Sequence, residues 1–482
     1  MREISEEQLR TKVKSINPHW VTRQIDDDLK AMKRRKYFEL FYLLVTSDVQ
    51  RAVVLMGPRR VGKTVILWQA IQELIDNKVE PQNILFLSLD TPILHPYSLE
   101  GLIDIYKEIF SVDDLSGKII IFDEIQYLKN WDIQLKVLVD TYKNTKFIAS
   151  GSAAGALKRK SQESGAGRFT DFMLPPLTFH EYLDLLELTE SLIEIKGSDH
   201  RPEFFPKDIV ELNRQFLNYL HYGGFPEAIF NKTIQKDPQR FIRSDIIDKV
   251  LLRDLPSLYG IQDTQELNRL FSTLAYQTGN EVSLDGLSKH SGVAKNTIKR
   301  YIEYLEAAFL IQTVKRVDDS CKTFRRRNYF KVYLTNPSMY SAIYNPPSEE
   351  EPEILGSLVE TAIFSQWMHS SEDMKKIYYA RWKGGKGEVD MVYMHRDSPD
   401  WCTEVKWSDR NIDRPERFLN LINFCKINHI RNAWVTTKSQ SSSAIIEGID
   451  LVIDPSALYC FKVGYNLVKH AVKRKYDRAK NE

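Results

Sequence analysis

Apolar positions along this chain follow two rhythms. Unbroken apolar runs at Ala52-Val-Val-Leu-Met56, Asn83-Ile-Leu-Phe-Leu-Ser-Leu-Asp90, Lys118-Ile-Ile-Ile-Phe-Asp123 and Lys146-Phe-Ile-Ala-Ser150 predict strands buried on both faces, as in a parallel sheet. The stretch Val-Ile-Leu-Trp-Gln-Ala-Ile-Gln-Glu-Leu-Ile after Thr64, and another within 98–110, repeat at helical spacing and supply the crossovers. Residues 1–180 therefore read as an α/β domain. From 181 to 278 helical patterns are broken by Pro and Gly, as in Phe225-Pro-Glu-Ala-Ile and Arg253-Asp-Leu-Pro256, which predicts a helical lid or connector.

Residues 279–345 change pattern again. Val282–Val293 and Ala294–Leu305 read as two helices joined by a turn at Gly292, a helix-turn-helix. The second helix turns Ile298, Ile302 and Leu305 inward and leaves Lys295, Asn296, Lys299 and Arg300 on the opposite face, where they can meet phosphates or base edges. Residues 315–327 then suit a wing hairpin. Lys315, Arg316, Lys322, Arg325, Arg326 and Arg327 outnumber Asp318 and Asp319 there. Such a patch neutralises phosphates and makes affinity fall with salt. Winged helices also serve as spacers and protein docking modules, so DNA and protein partners both stay open. In 346–482 the pattern is a helix at 355–367, strands at 376–382, 387–394 and 402–406, a helix at 411–426 and a strand at 432–437.

Composition narrows the class more than the activity. The chain has 482 residues, 43% hydrophobic and 27% charged, enough for several independent cores. Lys plus Arg (67) nearly balance Asp plus Glu (65), so a nucleic-acid surface has to be local. Cys321, Cys402, Cys425 and Cys460 lack paired spacing, which argues against a zinc module or a disulfide framework and for a reducing compartment. The start Met-Arg-Glu-Ile-Ser-Glu-Glu has no signal-peptide character and no run of about 18 apolar residues occurs. The expectation is a cytoplasmic protein without a membrane partner.

The most specific chemistry follows the first strand. Gly57-Pro58-Arg59-Arg60-Val61-Gly62-Lys63-Thr64 matches the phosphate-binding loop G-x-x-x-x-G-K-[ST] between a strand and a helix. Backbone N–H groups of such a loop surround phosphates, Lys63 reaches the β and γ oxygens, and the Thr64 hydroxyl can ligate magnesium. The cofactors predicted are ATP and Mg2+. Asp123 at the end of the Lys118 strand can bind that magnesium through water, and Glu124 beside it can polarise the attacking water. Ser150 suits a sensor of the γ-phosphate or an ordinary turn. Arg168, in Gly165-Ala-Gly-Arg168-Phe, suits an arginine finger or a surface arginine.

Gly57–Thr64, Ile119–Leu128, Phe147–Leu157, the Gly165–Phe169 segment leading into Leu174–Leu183, and Gly223-Gly-Phe-Pro-Glu227 together resemble prokaryotic AAA-type ATPases fused to a C-terminal domain of unknown function. The resemblance implies an ATPase core with an extra strand between the two Walker strands, then a helical segment, a winged helix and a nuclease-like module. Within 346–482, Gly387-Glu388-Val-Asp390 and Glu404-Val405-Lys406 resemble the restriction-endonuclease-like core. Strand alternation would aim Glu404 and Lys406 to one face with Asp390 converging from the neighbouring strand. Asp390, Glu404 and the Val405 carbonyl would hold magnesium, and Lys406 would orient water or offset negative charge. Glu360 matches an acidic residue which that family places on the preceding helix.

Two functions fit these motifs. One is an ATP-controlled enzyme that binds DNA and cleaves nucleic acid with magnesium, plausible in defence against foreign DNA. The other is an ATP-driven switch that binds DNA or a protein partner without nuclease activity; a homo-oligomer suits either. A transcription regulator would additionally need base-pair discrimination.

Overall fold

A computed structural model describes residues 5–151, 167–198, 201–323, 328–348, 350–382, 387–396, 398–410 and 418–481, without the side chains of 201 and 471–481. The chain divides into two compact units, Met1–Pro175 with Val472–Glu482, and Pro176–Ala471.

The first unit is built on five parallel strands, β1 (Ala52–Met56), β2 (Ile84–Ser88), β3 (Ile119–Asp123), β4 (Lys146–Gly151) and β5 (Phe169–Met173), in the order β2-β3-β4-β1-β5. Almost every residue of β1 through β4 is buried, which is why their sequences are apolar runs rather than alternations. β4 lies between β1 and β3, so the extra strand stands where the motif order implied. The open edge of β2 is covered by side chains from the N-terminal helices. Asn17 pairs its amide with the backbone of Phe86 at 2.7 and 2.9 Å, while the Trp20 indole donates to the Ile84 carbonyl at 2.7 Å.

The second unit carries a hairpin, β6 (Ile193–Ser198) with β7 (Arg201–Pro206), and a nine-stranded mixed sheet. That sheet comprises β8 (Glu281–Ser283), β9 (Ile311–Val317), β10 (Tyr329–Leu334), β11 (Ile377–Trp382), β12 (Gly387–His395), β13 (Ser398–Glu404), β14 (Asn432–Thr437), β15 (Ser442–Ile446) and β16 (Ile449–Pro455). Their order is β15-β16-β14-β13-β12-β11-β9-β10-β8. Helices Leu284–Ser291 and Lys295–Ala307 form the helix-turn-helix between β8 and β9, with Gly292 in the left-handed conformation at the turn.

This sheet corrects the division at 345/346. β9 pairs in parallel with β11, Lys315 opposite Tyr378 and Val317 opposite Ala380. Val317 and Cys321 share one buried cluster with Ala380, Val389, Val392, Cys402, Leu421 and Phe424. Residues 279–345 and 346–471 are thus one folding unit, because edge strands of two half-sheets have been joined into a continuous sheet. β8, β10, β15 and β16 were not anticipated; β10 lies beyond the wing expected at 315–327, β8 is three residues long and β15 is largely exposed.

Candidate functional sites

In the first unit the loop from Gly57 to Gly62 leaves the C-terminal end of β1 and opens the helix Lys63–Asp76, whose first-turn N–H groups point back at the loop. Its backbone needs unusual conformations. Arg60 and Gly62 have φ of 64° and 96°, and a Cβ on Gly57 would lie 2.3 Å from the Leu174 carbonyl oxygen. The loop is braced from below by buried Arg35, which donates to the carbonyls of Val61 at 3.1 Å and Pro175 at 2.8 Å. Arg35 was missed by sequence reasoning, since nothing in its neighbourhood distinguishes it from a surface arginine.

Lys63 is buried and donates to the carbonyls of Gly57 at 3.2 Å and Pro58 at 2.8 Å, while Arg59 reaches the Tyr127 hydroxyl at 2.9 Å. Thr64 Oγ1 donates to Asp123 Oδ2 at 2.9 Å, and Ser150 Oγ bonds the other oxygen, Asp123 Oδ1. Ser150 also accepts the Glu124 N–H at 3.1 Å. The three strands β1, β4 and β3 thereby bring Thr64, Ser150 and Asp123 together at one sheet edge. Glu124 has φ 54° and ψ 46°, a left-handed backbone that turns its carboxylate away from the strand direction, and its Oε2 accepts from the Gln126 amide. Burial, then the Glu124 charge, push Asp123 up to about 6, a bias which a divalent cation beside it would reverse. Hard oxygen donors at a helix start, below a loop that excludes a Cβ, fit a nucleotide with magnesium.

Arg168 lies at the other end of this sheet. Its carbonyl accepts the N–H of Ala52 at the start of β1, five residues or about 16 Å of strand before the phosphate loop, and its guanidinium meets Asp140 at 2.9 Å. It is no arginine finger for its own chain's site, because parallel strands put residues entering β1 and β5 opposite to those leaving them.

In the second unit, helix Pro352–Gln366, β11, β12, β13, helix Leu419–Ile427 and β14 follow in sequence around the acidic residues. A register shift between β11 and β12, Tyr378 opposite Val392 but Ala380 opposite Val389, places an extra residue at Asp390–Met391. This bulge lets Val389 and Val392 both enter the core while Glu388 and Asp390 share a polar side. β13 ends at Glu404, so strand alternation does not reach Lys406; its ammonium nevertheless contacts Glu404 Oε1 at 2.6 Å. Val405 meets Asp390 through its N–H, which donates to Oδ2 at 2.9 Å. The Lys406 backbone is fixed by Thr436 and Ser456 hydroxyls at 2.9 to 3.0 Å.

At the centre of these carboxylates stands Lys331, from β10. Its ammonium, almost fully buried, contacts Glu360 at 2.8 Å, Glu388 at 2.9 Å and Asp390 at 3.1 Å, and the Tyr333 hydroxyl donates to Glu360 at 2.5 Å. Sequence reasoning missed Lys331. The available signal was a lone cation in an otherwise apolar run, Tyr329-Phe-Lys331-Val-Tyr-Leu334, which forms β10. Glu404 Oε2 is shut off from solvent and meets no donor among the described residues. Beside it is a cavity of about 110 Å3, lined by Glu388, Glu404, Lys406, Asn420 and Thr436 among others. Among the described residues no three His, Cys, Asp or Glu side chains are grouped to hold a metal ion.

Burial, then the Asp390 charge, push Glu404 up to about 8, and burial pushes Glu360 up to about 7. The Lys331 and Lys406 charges outweigh burial at Asp390 and hold its carboxyl below the usual range. The two glutamates bind protons in the folded unit that they release when unfolded, so their contribution is full below about 4.5 and is lost as pH rises towards 7 and 8. Metal-free protein should therefore melt at lower temperature at pH 8.5 than at pH 5.5, and Glu404→Gln should flatten that slope. Circular-dichroism melts across this range, read beside wild type, would refute the assignment if both slopes matched.

Lys295, Asn296, Lys299 and Arg300 all lie exposed on one helix, as anticipated, with Lys295 paired to Asp285. Lys299, Lys315 and Arg316 border a groove of about 860 Å3 between that helix and β9. Arg325, Arg326 and Arg327 lie outside the described residues.

The loop, its helix and the Thr64–Ser150–Asp123 triangle on a β2-β3-β4-β1-β5 sheet define a P-loop nucleotide-binding domain. Residues 49–183 match the family described as AAA domain, and the chain carries an AAA-type P-loop ATPase domain. Residues 213–350 match a domain of unknown function, DUF8612. Uncharacterized protein MJ1637 of Methanocaldococcus jannaschii is 27% identical over 381 residues, covering 77% of each chain. An uncharacterized protein of Haemophilus influenzae is 27% identical over 312 residues, 63% of this chain and 72% of its own. Among solved structures, the Aeropyrum pernix ORC2 protein aligns over 68% of this chain and 94% of its own at 14% identity, with a TM-score of 0.37. No helix among the described residues is long and apolar enough to cross a membrane.

Proposed function

We propose that the chain is an ATP-fuelled nucleic-acid enzyme, in which the AAA domain hydrolyses ATP and the second unit binds DNA and cuts it with magnesium. The observation that carries the nuclease half is the convergence of Asp390, Glu404 and Lys406 through the Val405 N–H beside the cavity. The helix, three strands, helix and strand around them have the order of a restriction-endonuclease-like core, which supports the same reading.

In the ATPase half, the loop N–H groups and Lys63 would hold the phosphates, Thr64 and Asp123 would hold magnesium with Ser150 keeping Asp123 oriented, and Glu124 would take the proton of the attacking water. Magnesium would neutralise charge developing on the phosphates. In the nuclease half, Asp390 and the unpartnered oxygen of Glu404 suit a hard cation. An ion held by Asp390 and Glu404 would supply Lewis-acid polarisation of a phosphate and lower the pKa of a bound water. Lys406, held against Glu404, positions that water. The winged helix expected within residues 279–345 would present Lys295, Asn296, Lys299 and Arg300 to the duplex.

The test is incubation of full-length protein with end-labelled single- and double-stranded DNA, ATP and Mg2+ or Mn2+. Cleavage is expected in wild type and a loss of at least roughly 100-fold in Asp390→Asn and Lys406→Ala, with ATP hydrolysis retained. DNA left intact in every condition would sink the nuclease half. A second reading, an ATP-driven switch whose second unit only binds, is favoured by one observation: Lys331 already satisfies Glu360, Glu388 and one oxygen of Asp390.

A further inference from the structure

Lys331 does not belong to the helix, strands and motifs that suggest a nuclease. It comes from β10, on the far side of β9 and β11 from Asp390, and extends over the sheet to reach it. A buried ammonium is costly unless paired, and three carboxylates brought together in a buried site are costly unless a cation sits among them. The arrangement therefore requires positive charge at that point. Tyr333, stacked on Phe364 at 4.2 Å, holds Glu360 towards it from the same strand.

The contacts of 2.8, 2.9 and 3.1 Å are those of an ammonium and exceed the 2.0 to 2.6 Å of magnesium or calcium to oxygen. Glu404 Oε2, buried and without a donor among the described residues, and the cavity beside it lie outside the Lys331 contacts, which reach Glu360, Glu388 and Asp390. From this geometry we infer that Lys331 is a positioning residue whose ammonium occupies a cation position among Glu360, Glu388 and Asp390, so that the acidic site takes one fewer divalent ion than its carboxylates can hold. The inference rests on reading this cluster as a metal-dependent site. It adds that one of the site's charges is supplied by the strand pair next to the helix-turn-helix, so the two halves of the sheet share a single charge balance.

The experiment is Mn2+ titration of full-length, nucleotide-free protein, counting sites by electron paramagnetic resonance and subtracting the count for Asp390→Asn. Lys331→Ala removes the ammonium and leaves room for a hydrated ion. It is expected to bind one more Mn2+ per chain than wild type, and Lys331→Arg to keep the wild-type count. An unchanged count in folded Lys331→Ala overturns the inference. If Lys331→Ala folds only with Mn2+, and Asp390→Asn abolishes that rescue, the inference is upheld. If no Mn2+ concentration restores folding, it is overturned. The wild-type count separately judges the metal-site reading: zero Asp390-dependent sites ends that reading, whichever way the difference between variants falls.

Discussion

Glu124→Gln is expected to bind ATP as wild type does and to hydrolyse it roughly 100- to 10,000-fold more slowly, the range for loss of a general base. The left-handed backbone at Glu124 and the Ser150 hydroxyl on its N–H set the direction of the side chain, and neither depends on the carboxylate. The amide is nearly isosteric, so the loop, Thr64 and Asp123 should stay in place. Lys63→Ala should instead lose nucleotide binding, because the ammonium is the cation built into the loop. Phosphate release and titration with a fluorescent ATP analogue separate the two effects. Undiminished hydrolysis in Glu124→Gln would remove Glu124 from its assigned role.

Residues 346–482 expressed alone are expected not to fold, whereas 176–471 should unfold cooperatively. Cutting at 345 removes β9 from β11 and Val317 from the core, and it removes Lys331 from Glu360, Glu388 and Asp390. Breaking a buried ion pair by deleting one partner costs about 3–5 kcal/mol, against a total domain stability of about 5–15 kcal/mol. Three carboxylates share that loss here. Far-ultraviolet circular dichroism and limited proteolysis of both fragments would decide it: a cooperative transition in 346–482 alone would mean that the nine-stranded sheet is two independent sheets.

These two outcomes also separate what kinds of information locate a site. The nucleotide site was legible because its parts are local. Gly57–Thr64 must be contiguous to wrap phosphates, and Asp123 must end an apolar strand, so spacing and pattern reveal both. Ser150 was legible more weakly, through the end of its strand. The distance of Arg168 from its own chain's phosphate loop was not legible, because sequence proximity to the AAA motifs does not say which end of a parallel strand a residue occupies; the pairing of β1 with β5 does. In the acidic cluster, Asp390, Glu404 and Lys406 were readable from two short motifs. The bulge that aims Asp390 and the early end of β13 were not, since both arise from how β11, β12 and β13 pair.

By itself, then, the amino-acid sequence determined the parallel α/β domain, its phosphate loop, Walker acids and sensor candidate, and the residue types of a second acidic site. Each follows from local periodicity and from chemistry that needs neighbours in the chain. Only the tertiary structure decided that the helix-turn-helix strands and the C-terminal strands are one sheet, and that Lys331, 59 residues from Asp390, stands among its carboxylates. The physical reason is that a buried charge is compensated by whichever opposite charge folding brings within about 3 Å, and strand order, not sequence separation, sets that distance.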